Sequence, residues 1–70
     1  MRTLHILQAG PSNFEVRDDA GGLMGVATDE TKAVTSAMFS ADLIGQQGFA
    51  VRVLADHDGR SEEIYTVRRV

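Results

Sequence analysis

The 70-residue chain contains no cysteine, which excludes disulfides, thiolate metal sites and a cysteine nucleophile together. The absence fits a reducing cytoplasm, although exported bacterial proteins also lack cysteine. Long apolar runs are missing too. Nothing approaches the ~20 residues of a membrane span. The opening Met1-Arg2-Thr3-Leu4-His5-Ile6-Leu7 is too short in its apolar part for a signal-peptide core and is interrupted by His5. A cytoplasmic protein without membrane contact is expected.

Positive charge is also scarce. Seven Lys+Arg face ten Asp+Glu, a net charge of −3, which argues against a general binder of phosphate backbones. The acid excess lies in residues 1–48, where Arg2, Arg17 and Lys32 are outnumbered by Glu15, Asp18, Asp19, Asp29, Glu30 and Asp42. In residues 49–70, Arg52, Arg60, Arg68 and Arg69 balance Asp56, Asp58, Glu62 and Glu63. That is the mixed pattern of a solvated hairpin, not a basic stripe.

What remains is an ordinary globular composition, 43% hydrophobic and 24% charged, and a length that allows a single domain over residues 1–70. A chain this short buries only about 60% of its unfolded surface, so one core supplies roughly 3–5 kcal/mol. With disulfides excluded, self-association is the obvious source of further support.

Leu4 to Leu7 reads as a first strand that stops at the turn formers Ala9-Gly10-Pro11-Ser12-Asn13. Phe14-Glu15-Val16-Arg17 alternates apolar with charged, a half-buried strand with Phe14 and Val16 inward. Asp18 to Gly22 is a turn, and Leu23 to Ala27 a third strand in which Gly25 marks a bulge or a close approach. Thr28-Asp29-Glu30 predicts a helix start capped by Thr28, with acids at the positive end of the macrodipole. The helix runs to about Gln47 and leaves through a left-handed Gly48. Phe49 to Leu54 and Ile64 to Val67 are the last two strands, joined by a loop over Asp56 to Ser61 that contains the turn pair Asp58-Gly59. The expected fold is α+β: an antiparallel sheet of about four to five strands in the order β-β-β-α-β-β, with the helix covering one face.

The helix carries two apolar faces. Val34, Ala37, Met38, Ala41, Ile44 and Gly48 form the stripe expected to pack on the sheet. Phe39 and Leu43, four residues apart, stack with each other and point nearly the opposite way. The pair is an ordinary instance of exposed apolar residues, or is covered by the Gly10 to Ser12 loop, or is a surface for self-association or for a different protein.

Candidate chemistry is sparse. His5 with Asp56-His57-Asp58 contains zinc or manganese ligand types, at no specific spacing. The site requires His5 and His57 to meet. Asp56-x-Asp58-Gly59 opens like a calcium loop, but the twelfth position is Val67 instead of an acid. Ser36, Ser40 and Ser61 carry no nucleophile signature, and Gly21-Gly22-Leu23-Met24-Gly25 fits no phosphate or dinucleotide fingerprint. No catalytic residue and no cofactor is assigned. A nucleic-acid reader would use Arg52, Arg60, Arg68 and Arg69, with Tyr65 to stack on a base.

The strand Phe14-Glu15-Val16, the helix opening Thr31-Lys32-Ala33, the exit Gln47-Gly48 and the final Asp58-Gly59-Arg60 hairpin together resemble a family of small uncharacterised bacterial domains, a domain of unknown function, over most of the chain. Phe14 stands where that family more often has tryptophan. The resemblance implies the same fold, and no catalytic residue. The functional expectation is a non-enzymatic homodimeric interaction module, using Phe39 and Leu43 or an exposed strand edge.

Overall fold

A computed structural model describes residues 1–68; Arg69, one of the hairpin arginines, lies outside the described residues. Within them the elements are β1 (Arg2–Gly10), β2 (Asn13–Asp18), β3 (Leu23–Ala27), α1 (Glu30–Gln46), β4 (Val51–His57) and β5 (Arg60–Val67). They form an α+β domain with the expected β-β-β-α-β-β order. The five strands make one sheet, arranged β3-β2-β1-β4-β5.

The sheet is not wholly antiparallel. β1 and β4 run parallel, with Leu4 beside Val53 and Ile6 beside Ala55; the other three pairings are antiparallel. The cause is the crossover. The chain leaves β3 on one edge, passes over the sheet as α1 and re-enters beyond β1, and a helical crossover returns a strand in parallel orientation. β1 is thereby held between two strands of its own chain, so exchanging it with a neighbour would break two ladders.

β1, β4 and β5 run past the ends read from the sequence, because polar residues at hairpin tips still complete backbone ladders. β1 continues to Gly10, opposite Asn13, past a bulge. β4 continues to His57 and β5 begins at Arg60, with Asp56 opposite Ser61. The connection is therefore two residues long. Asp58 and Gly59 both have positive φ, 48° and 80°, as in the mirror-image turn that matches strand twist.

The helix cap is Asp29, one residue later than expected. Its Oδ1 accepts the Lys32 N–H at 2.8 Å, satisfying an orphan donor that Thr28 does not reach. At the other end Gly48 takes φ +96°, the expected left-handed exit.

Ala33, Ala37, Ala41 and Ile44 form the buried stripe of α1, packed on Leu4, Ile6, Val16, Val51 and Val53. Val34 and Met38 flank it half-buried, and Gly48 is exposed outside it. Three alanines at the contact let the helix lie low. Near β5 a Cβ on Gly45 would come within 2.5 Å of Val67 Cγ1. Near β3 the fit is looser: a Cβ on Gly25 would meet Ser36 Oγ at 3.3 Å.

Candidate functional site

Contacts on its two flanks fix how α1 sits over the sheet. Ser36 lies against Gly25 of β3, while Asp42 accepts a hydrogen bond from the Tyr65 hydroxyl of β5 at 2.7 Å. One flank thus looks toward β3 and the other toward β5. Leu43 follows Ser36 by seven residues, a rotation of about 20° around the helix, and Phe39 lies about 60° from Ser36. Leu43 therefore stands on the β3 side, whereas Phe39, also about 60° from Asp42, lies between the two flanks and points away from the sheet. Phe39 is 66% exposed and Leu43 46%, so the turn after β1 does not cover them.

Below this flank β3 forms one edge of the sheet. Leu23 and Val26 are 54% and 63% exposed, and Met24 is exposed as well. Leu23, Met24 and Val26 of β3 and Leu43 of α1 are thus collected toward one edge of the sheet; β3 carries no charge, and Lys32 is the charged residue on that flank of the helix. The sequence reading singled out Phe39 and Leu43 but missed the β3 residues. The available signal was the uncharged stretch from Ala20 to Thr28, which gains meaning only once β3 is known to be an edge.

The face of the sheet away from α1 holds a polar cluster. His5 Nδ1 lies 3.2 Å from Asp56 Oδ2, and since a carboxylate only accepts, that nitrogen is the donor. Ser61 Oγ donates to Asp56 Oδ1 at 2.7 Å, and Arg17 Nε to Glu15 Oε1 at 2.9 Å. The serine is bonded to the carboxylate, not to the imidazole, so the order of a nucleophilic relay is not present.

His57 lies on the other face. Residues of β4 alternate sides, and His57 shares its side with the buried Val51 and Val53, with Nε2 3.5 Å from Glu30 Oε2 at the start of α1. The sheet therefore separates His5 from His57, and the metal site that required both is not assembled. Among the described residues no group of three or more His, Cys, Asp or Glu side chains is placed to hold a metal ion.

The arginines of the C-terminal hairpin are dispersed in the same way. Arg52 is opposite Thr66 and Thr3 on the open face, whereas Tyr65 points to the helix side and is tied to Asp42. Arg60 is at the tip, opposite His57, and Arg68 is exposed beyond the end of β5. The stacking residue and Arg52 thus face away from each other. The hydrogen bond to Asp42, with smaller contributions from burial and from the carboxylate charge, pushes the Tyr65 phenol above the usual tyrosine range.

A depression beside the C-terminal end of α1 is lined by Asp42, Gly45, Gln46, Gly48, Val67 and Arg68. Two others flank the β4–β5 turn around His57 and Asp58. Among the described residues no helix is long and apolar enough to cross a membrane. Comparison of the chain with protein-family models, with curated proteins and with solved structures gave no match.

Proposed function

We propose that the protein is a cytoplasmic, non-enzymatic interaction module that associates with itself through the side of the molecule bearing Phe39 and Leu43. The observation that carries this reading is the exposure of a phenyl and an isobutyl group, one helical turn apart, on a helix whose opposite stripe is already buried. Such a pair costs solubility in a monomer and is stabilised by burial at roughly 25 cal/mol per Å². Size adds to the case. A core built on three alanines and a few aliphatic residues leaves a chain of 7.6 kDa with little stability of its own, and association raises it by mass action.

Sedimentation equilibrium over a wide concentration range tests the reading. A reversible dimer is expected, and Phe39→Glu is expected to shift it toward monomer, because a carboxylate at a desolvated contact is costly. A wild-type protein that stays monomeric throughout contradicts it.

A further inference from the structure

We infer that β3 is the strand through which two copies join, pairing antiparallel with its own counterpart to give one continuous ten-stranded sheet. This rests on the self-association reading and specifies its geometry.

The two edges of the sheet differ in charge. β5 presents Arg60, Glu62 and Glu63, whereas the whole of β3, Leu-Met-Gly-Val-Ala, is uncharged. An edge strand has a row of unpaired N–H and C=O groups, and charged side chains are a principal means of keeping it from pairing. β3 has no such side chain. Each copy carries a net charge of −3, so two copies meeting through β5 would bring Glu62 and Glu63 of both together. Meeting through β3, they place no charge opposite a charge.

The second copy is the occupant that fits the whole side. A two-fold axis perpendicular to the sheet pairs β3 with β3 and leaves both helices on the same face. The two Leu43 flanks then look toward each other across the axis, with Phe39 above them on the outer side of each helix. β3 is five residues long, about 17 Å of edge, enough for a short antiparallel ladder flanked by its exposed side chains. Main-chain hydrogen bonds supply the pairing, and the exposed Leu23, Met24 and Val26 supply apolar area beside it.

The test is Val26→Lys, beside Phe39→Glu, in sedimentation equilibrium. Val26 is exposed and stands opposite Glu15 of β2, so a lysine there has room and an acid beside it, and circular dichroism should match the wild type. The expected result is dimer association weakened on the order of 100-fold. A Val26→Lys protein that dimerises like the wild type overturns β3 pairing. If Phe39→Glu then dissociates it, the helix surface alone carries the association; a wild type that never dimerises removes both proposals. Independently of any variant, a dimer of mixed isotope-labelled and unlabelled wild-type chains should show intermolecular backbone proton contacts within β3. Their absence overturns the pairing.

Discussion

The two edge strands of this sheet solve the same problem differently. β5 is eight residues long, with charges at Arg60, Glu62 and Glu63; β3 is five residues long and has none. Both ladders contain a bulge, at Val16/Arg17 beside β3 and at Val53/Leu54 beside β5, so irregularity does not distinguish them. Charge does. The long edge is guarded by charged side chains, and the short one is left apolar. In a protein that functioned as a monomer, β3 would be the edge most in need of protection.

The comparison breaks most visibly if the guard is removed. Glu62→Thr with Glu63→Val leaves β5 without acids, and a chain with two adhesive edges no longer closes as a dimer. Open-ended assemblies larger than the wild-type dimer are expected by light scattering. A double variant indistinguishable from the wild type would mean that charge is not what separates the edges.

A smaller contrast lies in how α1 meets each edge. Gly45→Ala forces a Cβ against the stiff, β-branched Val67, which costs about 1–3 kcal/mol, partly offset by about 1 kcal/mol of helix propensity. Gly25→Ala meets a serine hydroxyl that can rotate away, and relief of glycine entropy makes the net change within about 0.5 kcal/mol. Urea melts should therefore show loss of stability for the first and near neutrality for the second. The reverse order would mean that Val67 gives way to the new methyl group and Ser36 does not.

The ends of the helix sharpen the comparison further. Asp29→Ala removes the cap at the N-terminal end of α1 and should lower stability by about 1 kcal/mol. Smallest of all is the effect at Tyr65, whose hydroxyl ties the other flank to β5. Its phenol is held in the neutral form, so the stabilisation is complete below the ordinary tyrosine range and is lost as pH rises through the raised value. With one tyrosine in the chain, ultraviolet titration reads this directly. Asp42→Asn should bring the midpoint down, and an unchanged midpoint would show that the hydrogen bond is not its cause.

Much of the architecture is legible in the sequence because local signals agree with the packing. Alternation places Phe14 and Val16 on the helix side, a glycine after Gln47 ends the helix, and Asp58-Gly59 turns the hairpin. What the sequence does not show is long-range. Parallel pairing of β1 with β4 depends on where the crossover lands, and the cap passes from Thr28 to Asp29 through a geometry that either residue type allows. The candidate site was half visible. Phe39 and Leu43 depart from helical periodicity and stand out, but Leu23, Met24 and Val26 look like any buried strand until sheet order makes them an edge. His5 and His57 show the opposite failure, being alike in sequence and on opposite sides of the sheet.

The most direct measurement is amide hydrogen exchange of both edge strands in the same wild-type samples, at protein concentrations below and above the association range. The outward amides of β3 should exchange more slowly as concentration rises while those of β5 keep their rate, since only the first are enclosed by a second chain. Equal behaviour at the two edges, or slowing confined to β5, would contradict the account.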